Sequence, residues 1–138
     1  MPTVELLFSA QPEHVRTARL VAAQVARRAG VEEASLDEVR LAVGEACSRA
    51  VGLHRTNRVE EPVRVLLTEE EKKFSIEVVD EVPGAASGGA GPDADDPAGG
   101  EDEGEMGLAV ISGLVDDVEV IDSERGGVIR MTWPTVMP

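Results

Sequence analysis

The sequence predicts an α+β two-layer sandwich, in which a mixed, largely antiparallel five-stranded sheet carries about three helices on one face. Three observations predict this class. Short segments have alternating apolar residues, longer segments have apolar residues three and four positions apart, and the connections favour hairpins over single-helix crossovers. We expect one domain over residues 1–138, because a chain of this length has no room for a second core.

The first half of the chain predicts one strand followed by two helices. Apolar residues alternate over residues 4–8, as in a half-buried strand. Pro12 suits a first helical position and Gly30 suits a left-handed helix end, with apolar residues at helical spacing between them. Ser35 and Glu38 have the spacing of a capping box, which predicts that the second helix begins there.

The second half predicts a hairpin, a loop, a short helix and two final strands. Apolar residues alternate over residues 63–67 and again over 74–78, on either side of a polar turn. A short helical pattern covers residues 108–115, and residues 118–120 and 129–133 alternate around a double glycine. The predicted order is therefore β-α-α-β-β-loop-α-β-β.

Residues 84–104 have an unusual composition of seven Gly, five Ala, two Pro, one Ser and six acidic residues. Such a segment cannot bury enough apolar surface to offset the entropy of ordering it. We expect it to be a mobile, acidic, glycine-rich loop within the domain, and a loop of this length is usually a functional lid or a disordered insert.

Composition excludes several function classes. The formal net charge of -14 repels nucleic-acid backbones and anionic membrane surfaces, so we expect no direct binding to either. Cys47 is the only cysteine, which excludes an intrachain disulfide and a cysteine-based zinc cluster. The N-terminal residues lack a basic region before their short apolar run, and no stretch approaches the length of a membrane span. We expect a soluble cytoplasmic protein.

Three segments carry a family resemblance: LAVGEACSRAV at 41–51, VVDEVPG at 78–84 and EGEMGLAVI at 103–111. In this order around a glycine-rich loop, they resemble the N, G1 and G2 boxes of bacterial anti-sigma-factor serine kinases, which have the GHKL (Bergerat, histidine-kinase-like ATPase) fold. The resemblance covers nearly the whole chain. It implies ATP and Mg²⁺ as cofactors, residues 84–104 as an ATP lid, a sigma factor and a STAS-type anti-anti-sigma protein as partners, and a homodimer.

The N-box resemblance gives Glu45 the role of a general base, or of a residue that orients the nucleophile. Four residues later the family has an Asn that binds Mg²⁺, but this chain has Arg49. A guanidinium carries only donors and cannot coordinate a cation, so we expect no metal site of the family's kind. Glu45 and Arg49 also have the spacing of an intrahelical ion pair. That pair is either an ordinary surface pair, or a sign that Arg49 takes the metal's place and occupies the base.

The G1 resemblance assigns Asp80 to accept from the adenine amino group, and Gly84 matches a family glycine. Val82 departs from the pattern, because a branched side chain fills space where the family has glycine. The alternative for Asp80 is a polar residue that only closes a strand.

The G2 resemblance retains Gly107, but Glu105 departs from the pattern and places a carboxylate where the triphosphate would lie. The preceding loop carries six acidic residues and no Lys or Arg, so its charge should repel ATP. Glu105 also has a structural role available, because an acidic residue near a helix start stabilises the helix by about 0.3 to 1 kcal/mol.

The remaining candidates predict no chemistry. His14 and His54 lie on different predicted helices without a third ligand, so a hydrogen-bonded or exposed histidine is favoured over a metal site. Cys47 lies on the apolar stripe of the second helix and is expected to be a core residue. Ser48 and Ser112 have no evident partner base.

The family resemblance and the departures from it leave three functions open. The first is an anti-sigma-type regulatory protein that binds a sigma factor, a STAS protein or both in a partner-switching pathway controlling transcription, with impaired ATP binding. The second is an active ATP-dependent serine-protein kinase that phosphorylates its STAS antagonist through Glu45. The third is an interaction scaffold that needs no nucleotide.

Overall fold

The computed structural model describes residues 3–83, 108–115, 117–122, 124 and 126–136. Its strands and two long helices follow the predicted order, with residues 108–114 forming a further helical segment. The bounds are β1 (Thr3–Phe8), α1 (Pro12–Ala29), α2 (Leu36–Thr56), β2 (Val63–Glu70), β3 (Lys73–Val79), β4 (Asp117–Asp122) and β5 (Gly127–Pro134). The predicted α+β class is confirmed.

The five strands form one sheet in the order β1-β2-β3-β5-β4. Every neighbouring pair is antiparallel. The sequence predicted a mixed, largely antiparallel sheet, and the described strands contain no parallel pair. β5 lies between β3 and β4. Because β3 and β5 are antiparallel, the end of β3 lies beside the start of β5.

The core lies between one face of this sheet and the helices. In the β3–β5 register, Phe74 pairs with Trp133 and Ile76 pairs with Met131, and all four are buried. These alternate residues point to the same face because side chains alternate along a strand. The predicted apolar stripe of α2 is buried against them, from Leu36 through Val39, Val43, Ala46, Cys47 and Ala50.

The buried face of α1 consists largely of alanine, at Ala18, Ala22, Ala26 and Ala29. Small side chains allow a helix to approach its neighbours closely, and α1 packs extensively on α2. The helix ends as predicted at Gly30, whose φ of 101° is the left-handed conformation and whose N–H donates to the last turn.

The predicted capping box at the start of α2 is wrong. Ser35 makes no side-chain cap hydrogen bond, and its backbone is already helical at φ -92° and ψ -8°. A 3₁₀ turn over Glu33–Ser35 leads directly into α2 instead. A residue with helical φ and ψ does not project its hydroxyl toward the N–H groups of the next turn as an extended N-cap residue does.

Two further expectations concern the chain as a whole. Within the described residues, neither long helix has the length and apolar character needed to cross a membrane. The expected mobile loop at residues 84–104 lies outside the described residues.

Candidate functional site

Asp80 lies immediately after β3, where this strand meets the start of β5. Its side chain is 3% exposed. Oδ1 accepts hydrogen bonds from the Val82 N–H at 2.9 Å and from the Gly127 N–H at 3.2 Å. The Asp80 N–H in turn donates to the Gly127 carbonyl at 3.0 Å. The carboxylate is therefore held in one position by the backbone on both sides.

Gly126 brings the backbone before β5 into close contact with this strand end. A Cβ atom at Gly126 would lie 1.8 Å from the Asp80 carbonyl oxygen and 2.7 Å from its carbonyl carbon. No side chain can occupy that position unless one of the two backbones moves. The glycine therefore fixes the distance between Asp80 and β5.

Arg49 reaches the same carboxylate from α2. Its Nη1 lies 3.8 Å from Oδ2 of Asp80, and its side chain is only 6% exposed. Burial lowers the pKa of the Arg49 guanidinium, and the negative charge of Asp80 acts in the opposite direction. Both carboxylate oxygens of Asp80 are thus engaged, one by backbone N–H groups and the other by a guanidinium.

The expected ion pair between Glu45 and Arg49 is wrong in detail. Glu45 lies one turn earlier on α2 and is half-buried, and within the described residues it forms no ion pair with Arg49. The guanidinium pairs with Asp80 instead. A buried cation needs a compensating anion, and the fixed carboxylate at the end of β3 provides one in a water-poor position. Arg49 therefore contacts the position that the resemblance assigns to the G1 box, and among the described residues it does not pair with Glu45.

Val82 is buried, and its backbone N–H donates to Oδ1 of Asp80. The other predicted site residues, Gly84, Glu105 and Gly107, lie outside the described residues. Among the residues that the structure does describe, no three His, Cys, Asp or Glu side chains come together as a metal site.

A sequence model of the histidine kinase-like ATPase domain matches residues 8–133. The chain belongs to this family. It is similar to the serine-protein kinase RsbW of Oceanobacillus iheyensis, with 28% identity over 141 residues, covering 94% of this chain and 84% of the relative. The serine-protein kinase RsbW of Halalkalibacterium halodurans is 27% identical over 140 residues, covering 94% and 82%.

Two solved structures share the fold of this histidine kinase-like ATPase domain. The RsbU and RsbW domains of Rv1364c from Mycobacterium tuberculosis match with a TM-score of 0.69 and 16% identity, covering all of this chain and 34% of that chain. The histidine kinase domain of the Erythrobacter litoralis EL346 blue-light activated kinase matches with a TM-score of 0.54 and 19% identity, covering 73% and 45%. The expected histidine-kinase-like ATPase fold is confirmed.

In this ATPase-like domain, the structure brings the second N-box position and the G1 aspartate into contact. Arg49 and Asp80 are 31 positions apart in the sequence, and they meet because α2 packs on β3. The guanidinium has no lone pair to offer a divalent ion, and it lies against the carboxylate that the family resemblance assigns to adenine.

From the sequence, His54 was expected only to be hydrogen-bonded or exposed, and the structure places it next to Asp80 and Glu81. It is fully buried at the end of α2, where Nε2 accepts from the Glu81 N–H at 2.9 Å and Nδ1 lies 3.0 Å from the Glu61 carbonyl oxygen. The expectation of a hydrogen-bonded or exposed histidine included this outcome. One signal was available, because His54 continues the buried stripe of α2 four residues after Ala50.

Proposed function

We propose that this chain is an anti-sigma-type regulatory protein that binds a sigma factor, a STAS-type anti-anti-sigma protein or both, and that its ATP site is impaired. The observation that carries the proposal is the buried contact between Arg49 and Asp80. Membership of the ATPase-like family and the similarity to two RsbW proteins support the regulatory part. The contact supports the impairment.

The surroundings of Asp80, the residue assigned to adenine, support impaired ATP binding. An adenine amino group needs a free acceptor, and Oδ1 of Asp80 already accepts from two backbone N–H groups. Oδ2 lies 3.8 Å from the Arg49 guanidinium, so an incoming base would compete with an ion pair for this oxygen. Displacing the guanidinium would leave a charge without its buried partner, which typically costs about 3–5 kcal/mol. Val82, which is buried two residues later, carries a branched side chain where the family resemblance expects glycine.

The position expected to bind Mg²⁺ also supports impaired ATP binding. Mg²⁺ takes oxygen ligands, and the position from which the family resemblance expects a ligand carries a cation. The residues present therefore do not fit a divalent ion held in the family's manner. Glu105 and the six acidic residues of the loop at 84–104 add negative charge to the sequence around the expected triphosphate position.

The partners follow from family similarity and charge. A net charge of -14 suits a protein that holds a basic segment of a sigma factor and keeps it from DNA. We also infer a homodimer and a cytoplasmic location, as the family resemblance implies. Both inferences are open to direct measurement by sedimentation and by fractionation of the source cell.

One observation favours the alternative of an active serine-protein kinase. Arg49 is paired with Asp80, so within the described residues Glu45 is not held in an ion pair by Arg49. A half-buried carboxylate in this position remains available as a base. Phosphoryl transfer would still require neutralisation of the developing phosphate charge without a metal ligand at residue 49.

A binding and labelling experiment separates these functions. The purified protein is mixed with candidate sigma factors and STAS proteins of its source cell, with and without Mg²⁺ and ATP labelled in the γ-phosphate. We expect binding to one of these partners without nucleotide, and no label on any protein. A labelled STAS protein, with the label lost in Glu45→Gln, would establish the kinase instead. Failure to bind any candidate of either class would favour the nucleotide-independent scaffold.

A further inference from the structure

His54 connects three segments that are distant in the sequence. Its ring lies at the C-terminal end of α2, and it bonds residue 61 ahead of β2 and residue 81 after β3. The side chain is fully buried, so neither bond is replaced by water. Arg49, five residues earlier on the same helix, holds the adjacent Asp80. Two side chains of α2 therefore hold consecutive residues at the end of β3.

The hydrogen bonds fix the protonation state of the ring. A backbone N–H can only donate, so Nε2 must carry a lone pair in order to accept from Glu81. A carbonyl oxygen can only accept, so Nδ1 must carry the hydrogen that it donates to Glu61. The structure therefore holds neutral His54 with the proton on Nδ1. Protonation would place an N–H at Nε2 directly against the N–H of Glu81.

We propose that His54 is a positioning residue that acts as a pH-sensitive latch on residues 81–83. The neutral ring holds the peptide between Asp80 and Glu81, and so keeps the Val82 N–H on Oδ1 of Asp80. The protonated ring has no acceptor, so the Glu81 bond breaks and these residues separate from α2.

Other charged residues lie on the segments that bond the ring. Within the described residues they are Arg49 and Arg55 in the second half of α2, Arg58, Glu60 and Glu61 ahead of β2, and Asp80 and Glu81 after β3. Their contributions to any pH response are retained when His54 alone is changed. A His54→Gln variant therefore separates the ring from its neighbours, because a neutral amide also carries one acceptor and donors but does not titrate.

The chain offers a matched control, because it contains only two histidines. His14 lies on α1, at a ring-centroid distance of 6.3 Å from Phe8, and it takes no part in the contacts at residues 54, 61 and 81. His14→Gln removes the other imidazole and leaves the latch intact. Any response specific to histidine then belongs to one residue or the other.

The first measurement is the tautomer of His54 in the whole protein. Long-range nitrogen–proton NMR spectra of the wild type at neutral pH distinguish a protonated Nδ1 from a protonated Nε2. We expect the hydrogen on Nδ1. A hydrogen on Nε2 would overturn the proposal, whatever the variants do.

The second measurement is amide-exchange protection, corrected for the intrinsic pH dependence, across the range in which histidines titrate. In the wild type and in His14→Gln, we expect the protection of the Glu81 amide to be lower at mildly acidic pH than at neutral pH, because a protonated ring cannot accept its hydrogen bond. The Val59 amide, which donates to the backbone carbonyl of His54, should keep its protection. In His54→Gln the Glu81 protection should not change with pH.

Three results would contradict the latch. They are constant Glu81 protection in the wild type, the same fall in His54→Gln, and an equal fall at Val59, which would indicate general unfolding. If His54→Gln does not fold, the wild type still decides, because the protection of the Glu81 amide must fall while that of the Val59 amide does not. Neither measurement uses ATP or a partner protein, so failure of the proposed function would not affect the result.

Discussion

The Arg49 guanidinium lies 3.8 Å from Oδ2 of Asp80, and both side chains are almost completely buried. This contact joins the two positions to which the family resemblance assigns the metal and adenine. A cation in the first position satisfies the anion in the second. A single substitution can therefore act on both halves of the site.

The Arg49–Asp80 pair should be strongly coupled. We expect a double-mutant cycle of Arg49→Met and Asp80→Asn, measured by urea unfolding, to give a coupling free energy of about 1–3 kcal/mol. The Arg64–Glu5 pair is the matched control, with a similar distance of 3.7 Å but side chains that are 42% and 47% exposed. Its coupling should be about 0–1 kcal/mol. Equal coupling in the two cycles would contradict the assignment of a special role to the buried pair.

Gly126 should tolerate no side chain. Gly126→Ala places a methyl group 1.8 Å from the Asp80 carbonyl oxygen, so we expect the free energy of unfolding to fall by about 3 kcal/mol or more. Gly52→Ala is the control, because Gly52 lies within α2 and a Cβ atom there would have no other atom within 4 Å. That substitution should raise the free energy of unfolding by about 0.8–1 kcal/mol. A neutral Gly126→Ala would show that the close contact between β5 and Asp80 is not required.

Cys47 should be unreactive in the folded protein. Burial raises the pKa of the Cys47 thiol from 9.0 to about 12, so the thiolate fraction near pH 8 falls by about a thousandfold. We expect alkylation by iodoacetamide to be at least about a hundredfold slower in the native protein than in urea, with local opening setting the native rate. Equal rates would show that the apolar stripe of α2 is open to solvent.

Restoring the family residues should restore nucleotide affinity. We expect the triple variant Arg49→Asn, Val82→Gly, Glu105→Gly to bind ATP with Mg²⁺ more tightly than the wild type, because it removes the cation, the bulk and one repelling charge. Calorimetry on both proteins checks this. The control is Arg64→Asn, which removes an arginine from the exposed pair with Glu5. No gain in the triple variant would mean that the pocket is lost for another reason.

The fold was largely readable from the sequence because its elements have strong periodic patterns. The alternation through Ile76 and Met131 and the alanine stripe of α1 directly reflect burial on one face. The start of α2 at Ser35 was predicted correctly, but the capping box was not, because a capping box and a 3₁₀ entry share the same residue types. Only the backbone conformation of Ser35 distinguishes them.

The candidate site could be predicted from the sequence only in part. The N and G1 segments predicted Arg49 and Asp80 as site positions, but the spacing along α2 pointed to Glu45 as the partner of Arg49. Tertiary packing decided otherwise, since a buried guanidinium pairs with the anion that is also buried. His54 was missed because a lone histidine on an apolar stripe does not reveal which backbone groups will reach it.

A calorimetric titration of the wild-type protein with ATP in the presence of Mg²⁺ tests most directly whether the ATP site is impaired. We expect no saturable binding at ATP concentrations up to about 1 mM, which corresponds to a binding free energy weaker than about -4 kcal/mol. Saturable binding with a micromolar Kd that disappears when Mg²⁺ is removed would contradict this expectation.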